Sequence, residues 1–224
     1  MRYYEINGDL YPSVTTALSI IRRPHLERWR GSLGNTEADH VLHEAGDIGT
    51  DVHKACEAIN NGLTLGEAFG LVNTAATGVM VEAYFHWFIN NIRDVIMSEQ
   101  IVYNTTYRYA GRLDLLALVK GDKLPSIIDV KTGNSFPETP LQLAAYQKPI
   151  EESGIKTGRR LVVHLNKKEP GKLRVVEYAA SEADKDFRTF LYALELYRYF
   201  NPSPKQGEII KIGGVKNDQH ATCS

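Results

Sequence analysis

Between Thr74 and Ile96, Met80, Ala83, Tyr84, Trp87, Phe88, Asn91 and Ile92 recur at three- and four-residue steps. That period lays one stripe along a helix, so the segment is expected to be the principal core helix. A shorter stripe, Ile48, Val52, Ala55 and Ile59, predicts a helix from Asp47 to Ile59, with His53 beside the apolar face. Ahead of them, MRYYEI-NGD-LY has the turn chemistry of a β-hairpin, because Asn7-Gly8 accepts positive backbone angles. Ser13 is placed to cap the helix VTTALSII, and Pro24 suits the first turn of a second, PHLERWRGS.

The period then changes. SEQIVYNTTYRY, GRLDLLALVK and PSIIDVKT are rich in β-branched and apolar residues, and Lys120-Gly121-Asp122-Lys123 supplies a turn between the last two. Links this short favour an antiparallel meander. A helix after Pro140 (LQLAAYQKPIEE), a strand pair RRLVVHL and KLRVVEY, and a helix from about Ser181 to Phe200 complete the order. The expected fold is α/β, a mixed sheet built on a three-strand antiparallel meander and flanked by helices. One domain is expected over residues 1–200, with 1–45 and 64–96 as a helical cover over the site, and with 201–224 as a flexible, aperiodic tail.

A hydrophobic fraction of 43% in 224 residues is enough for one sizeable core. Lys and Arg total 26 against 27 Asp and Glu, so any polyanion surface must be a local stripe. Cys56 and Cys223 are too few for a disulfide framework or a four-cysteine iron–sulfur cluster, and suit a reducing compartment. No apolar run approaches a bilayer span, and MRYYEINGDLYPS has neither an apolar signal region nor an Arg-rich presequence. A cytoplasmic setting, bacterial or in a phage-infected host, is therefore expected, with no membrane partner.

Chemistry concentrates on the predicted strands. Asp114 interrupts the apolar run LDLLALV and Asp129 follows Ile127-Ile128, one on each arm of a predicted hairpin, so the turn between them can bring the two carboxylates side by side. Buried carboxylates need compensation, either by an ordinary ion pair with Arg112 or Lys131 or by a hard cation such as Mg²⁺. Residues two apart on a strand share a face, which sets Lys131 beside Asp129. Gln142 and Tyr146 stand one turn apart on one helical face, although a tyrosine there also suits packing on the sheet.

Taken in order, GTDVH ending at His53, Ser98-Glu99 opening a strand, GRLD ending at Asp114, IIDVKTG around Asp129 and Lys131, and QLAAY from Gln142 to Tyr146 resemble the RecB-like nucleases of the PD-(D/E)XK superfamily. The further runs Pro12-Ser13-Val14-Thr15, Leu26-Glu27-Arg28-Trp29 and Thr139-Pro140-Leu141-Gln142 are similar to the mitochondrial genome maintenance exonuclease and its phage relatives. The resemblance implies a restriction-endonuclease-like core and a Mg²⁺- or Mn²⁺-dependent deoxyribonuclease. It makes His53, Asp114, Asp129 and the Val130 carbonyl metal ligands, and Lys131 the catalytic lysine. It aims Gln142 and Tyr146 at the active site. Glu99 is either an orienting group or a solvated strand-start carboxylate.

Arg22, Arg23, Arg28, Trp29 and Arg30 combine cations with an aromatic, as a single-strand DNA groove does, but also suit a solvated helix with Trp29 in the core. Lys167, Lys168 and Lys172 flank a hairpin turn and suit solubilising surface charge. The expected activity is exonucleolytic hydrolysis of single-stranded DNA with a free end. A non-catalytic DNA-binding relative in a recombination or packaging complex is the alternative, and a hydrolase of small phosphate compounds is the third reading.

Overall fold

The structure, a computed structural model, describes residues 1–133, 136–202 and 207–212. The chain opens with β1 (Arg2–Ile6), β2 (Asp9–Pro12), α1 (Val14–Leu18) and α2 (Pro24–Leu33). Next come α3 (Asn35–Asn60), α4 (Leu65–Phe69), α5 (Ala75–Asn91), β3 (Ile92–Asn104), β4 (Tyr109–Val119) and β5 (Ser126–Lys131). It ends with α6 (Thr139–Glu152), β6 (Arg160–Leu165), β7 (Leu173–Tyr178), α7 (Ala183–Phe200) and β8 (Glu208–Lys211).

The larger sheet has the order β3-β4-β5-β6-β7. Its first three strands form the expected antiparallel meander, α6 carries the chain across to β6 parallel to β5, and β7 returns antiparallel. Alternation along the strands builds two cores, one on each face. Leu116, Ile127 and Val162 pack with α1, α6 and α7 on one side. Leu115, Ala117, Ile128, Val130 and Val163 pack with α3, α4 and α5 on the other. The β1–β2 hairpin forms with Asn7 at φ 52° and Gly8 at φ 87°, and the Ser13 side chain accepts from the Thr16 amide at 3.0 Å.

Three boundaries differ from the sequence expectation. The long helix ends at Asn91 rather than Ile96, and β3 begins at Ile92 with irregular register between Ile92 and Asp94 and between Val95 and Met97. The run Ile92-Arg93-Asp94-Val95-Ile96 carries β-branched residues that suit a strand, while the Asn91 side chain donates to the Trp87 carbonyl at 2.7 Å and closes the helix. Ser98 and Glu99 consequently lie inside β3 rather than opening it. The helix expected from Asp47 begins at Asn35, directly after Gly34 at φ 82°.

The aperiodic tail expected from residue 201 is also revised. Glu208–Lys211 runs parallel to β1 and completes a small sheet of order β2-β1-β8. The remainder of that expectation, at 203–206 and 213–224, lies outside the described residues. Among the described residues no helix is long and apolar enough to cross a membrane.

Candidate active site

The β4–β5 register pairs Leu115 with Ile128, so the next positions along the two strands are Asp114 and Asp129. Both carboxylates line one cleft, and the charge of Asp114 acts on Asp129. Asp129 is 1% exposed, and Lys131, on the same face, sets Nζ 3.0 Å from its Oδ1 and 2.9 Å from its Oδ2. Only the first contact is aligned as a hydrogen bond; Oδ2 is a buried oxygen without an aligned donor. Asp114 Oδ2 accepts from the Val130 amide at 2.8 Å, which fixes it against β5.

Burial pushes the Asp129 carboxyl upward, against the pull of the lysine beside it. Burial would lower the Lys131 ammonium, but Asp129 and Asp114 outweigh it and hold the group above its ordinary value. The lysine is therefore a cation, and its attraction holds Asp129 in place.

Glu99 sits opposite Asp114 across β3 and β4. The ladder pairs Ser98 with Leu115 and Gln100 with Leu113, while the intervening pair is skipped and Glu99 adopts φ 51°. Here the alternation of β4 slips, with Leu113 in the core under α6 and Leu115 in the core under α3. A left-handed backbone at a non-glycine residue costs about 1–3 kcal/mol, and such positions gather at functional sites. This one points Glu99 at His53, whose Nδ1 lies 3.8 Å from Glu99 Oε1 and 3.6 Å from Asp114 Oδ2. Arg112 flanks Glu99 at 3.8 Å. Glu99 is thus a half-buried carboxylate within β3, facing His53, and not a solvated strand-start carboxylate.

His53, Glu99 and Asp114 each offer one ligand atom, and all three lie within 4.8 Å of one another. Ligands about 2.1 Å from a Mg²⁺ ion lie roughly 3–4 Å apart, so these separations suit a divalent cation. Burial would depress the imidazole, but Asp114, Glu99 and Asp129 push it up to about 9, which marks the spot as one that draws positive charge. The residues present therefore fit a metal. Asp129, expected in the ligand set, stands beside this group with its oxygens facing Lys131, and the Val130 amide is bound to Asp114.

From α6, Gln142 Nε2 donates to Asp129 Oδ1 at 3.0 Å and to the Tyr146 hydroxyl at 3.2 Å, while its Oε1 lies 3.4 Å from Lys131 Nζ. Gln142 and Tyr146 do point at one place. Tyr146 is buried, and burial pushes its hydroxyl well above the ordinary range, so it acts as a neutral hydrogen-bonding group.

These residues line a cleft of about 440 Å³. Its walls also include Arg2, Tyr4, Ser13 and Thr15 from the N-terminal segment and Thr50, Lys54 and Glu57 from α3, none of which the sequence marks as a candidate site residue. A signal existed: Thr50, His53, Lys54 and Glu57 repeat at helical spacing as a polar stripe, and Gly46 and Gly49 leave the preceding turn open. Residues 64–96, expected to share in a cover, line no part of this cleft; α5 buries Met80, Val81 and Tyr84 against the sheet instead.

The Arg22–Arg30 segment also stands apart from the cleft lining. No α2 residue is buried, so Trp29 does not enter the core. Arg22 pairs with Glu27, Arg30 with Asp39, and Arg23 with Glu138 while lying 4.4 Å over the Phe136 ring. Arg28 and Trp29 are left on the surface of α2, exposed and half-buried respectively.

Residues 25–205 match the family model described as the PD-(D/E)XK nuclease superfamily. No curated protein matches the chain. Among solved structures, the chain is similar to SSO0001, at 16% identity and TM-score 0.42, covering 91% of this chain and 78% of that one. It is also similar to a Eubacterium rectale protein described as a "putative exonuclease", at 9% identity and TM-score 0.49, covering 87% and 83%.

Proposed function

Because this chain belongs to the PD-(D/E)XK nuclease superfamily, we propose that it is a metal-dependent exonuclease that hydrolyses single-stranded DNA from a free end. The observation that carries the reading is the buried Asp129–Lys131 pair, set beside Asp114 on the floor of a cleft and facing His53 and Glu99. A phosphodiester gains negative charge as it is hydrolysed, and a cationic amine beside an acidic cluster able to hold a metal cation would offset that charge.

Asp114, His53 and Glu99 would hold a Mg²⁺ or Mn²⁺ ion, with Asp129 and the Val130 carbonyl completing the set. When bound, the ion would polarise the phosphodiester and offset its charge. Lys131 keeps its proton on Nζ and aims it at the phosphate oxygens, where negative charge develops. Asp129 and Gln142 orient that amine, and the Val130 amide orients Asp114. A cleft of about 440 Å³ is on the scale of one small-molecule pocket, which suits a nucleotide or two of one strand. Arg28 and Trp29 on α2 offer a cation and a ring for the strand outside it.

Three measurements test this. EDTA should abolish cleavage and Mg²⁺ or Mn²⁺ restore it, while Ca²⁺, larger and looser in geometry, should support binding better than turnover. His53→Ala should raise the metal concentration for half-maximal activity; an unchanged titration removes His53 from the ligand set. On linear and circular single strands of one sequence, and on the matching duplex, the linear strand should be degraded fastest. Equal rates on the circle defeat end dependence, and faster duplex cutting defeats strand preference.

A further inference from the structure

A second cavity, of about 620 Å³, lies beyond the end of β5, bounded by Gly133, His164 and the β6–β7 hairpin. The hairpin turn is fixed by its own backbone: the Asn166 amide donates to the Lys172 carbonyl at 3.1 Å, and the Lys172 amide to the Glu169 carbonyl at 2.8 Å. Lys167, Lys168, Lys172 and Arg174 are thus presented from an ordered element. The acid on this turn, Glu169, is taken by Lys172 at 2.6 Å. Among the described residues Lys167, Lys168 and Arg174 form no ion pair. Lys167 instead extends its Nζ to the Ala45 carbonyl of α3 at 3.0 Å. Burial there draws its ammonium below the ordinary value. Among the described lining residues there is no Asp or Glu, so the cavity is short of negative charge.

The cavity adjoins the active-site cleft at two points. On α3, Ala45 receives Lys167, and the next residue, Gly46, lines the cleft. On the sheet, His164 is paired in register with Lys131, and Gly133 follows Lys131 by two residues, at most about 7 Å of chain past the end of β5. Among the described residues a Cβ at Gly133 would meet nothing within 4 Å, which leaves room for a ligand at this edge of the second cavity. Among the described lining residues there is no Phe, Tyr or Trp, while Lys167, Lys168, Lys172 and Arg174 suit a phosphate.

We propose that this hairpin cleft is a second nucleic-acid site, holding backbone phosphates of the same single strand on one side of the bond placed at Lys131. The proposal rests on the nuclease reading and gives the substrate a direction across the molecule, from the α3 cleft over Gly133 to the hairpin. Lys167, Lys168 and Arg174 serve binding of long substrates and not the chemical step.

The test uses the exposed pair Lys168→Gln and Arg174→Gln, with Lys167→Gln added in a second variant. The control removes two positive charges elsewhere, by Lys123→Gln and Lys185→Gln. For a labelled single strand of about twenty nucleotides, measured in Ca²⁺, the exposed pair should raise Kd about tenfold and flatten the slope of log K against log salt by ~1.4, two phosphate contacts at ~0.7 each. KM for that strand should rise with kcat unchanged, and cleavage of a dinucleotide, too short to reach the hairpin, should not change. The control variant should match wild type. Unchanged affinity and slope in the hairpin variants, or an equal loss in the control, overturns the proposal. A wild-type protein that neither binds nor cuts the strand overturns the nuclease reading with it. A wild type that binds and cuts, with indifferent hairpin variants, overturns the hairpin site alone.

Discussion

Lys131→Ala is expected to lower turnover by about a thousandfold, the scale on which removing one group aimed at developing charge acts. It should also be the most destabilising of the substitutions on the cleft floor. Asp129 is 1% exposed and retains only the Gln142 amide once the lysine is gone. Removing one partner of a buried pair strands the other charge, at a cost of about 3 kcal/mol. Asp129→Asn leaves the opposite orphan, but the Lys131 side chain is 27% exposed and can turn to water, so this variant should melt closer to wild type. The double variant, with both charges removed, should recover most of the stability lost in Lys131→Ala and remain as inactive as either single variant, because the two groups act as one unit. Asp114→Asn should likewise lose nearly all activity. Melting is best compared in EDTA, where no added cation compensates Asp129. Near-wild-type turnover by Lys131→Ala, in a preparation free of other nucleases, defeats the assignment of this site.

That floor was legible in the sequence because its logic is local. A strand has a period of two, so Asp129 and Lys131 had to share a face, and a carboxylate inside LDLLALV had to find compensation. Ser13 and Asn7-Gly8 likewise declare a cap and a turn by their own chemistry. The α5–β3 junction was not legible, since Ile92, Val95 and Ile96 satisfy a helical stripe as well as a bulged strand. Nor was the place of Glu99, whose left-handed backbone arises where β3 and β4 skip a pair, a property of two strands and not of either sequence run.

The same holds for the second cavity. Lys167 and Lys168 look like solvated charge until α3 is seen to pass within hydrogen-bond reach of Lys167, some 120 residues away along the chain, at Ala45. β8 is a four-residue strand whose identity depends on the free edge of β1. In each case the missing information is a long-range contact, which periodicity within one segment does not encode.

Gly111→Ala should disable the enzyme without touching a charged residue. A Cβ at Gly111 would lie 2.5 Å from Tyr146 Cε1 and 3.3 Å from Val14 Cγ2, so one of these groups must move. Val14 is fully buried in the core shared by α1, β4 and α6, and Tyr146 is 3% exposed with its hydroxyl held by Gln142. The ring has the freer end, towards the cleft, and its displacement draws Gln142 away from Asp129 and Lys131. Overpacking of this kind costs about 1–3 kcal/mol. A shift of about 1 Å in a positioning group can lower turnover a hundredfold. Tyr146→Phe separates the two effects, since it removes the hydroxyl without moving the ring; it should melt near wild type and lose less activity than Gly111→Ala. Combining Gly111→Ala with Tyr146→Leu, which vacates the space, should restore stability but not turnover. A Gly111→Ala protein with the melting temperature and activity of wild type would show that the ring yields at no cost, and that Tyr146 and Gln142 do not hold the Asp129–Lys131 pair in its working position.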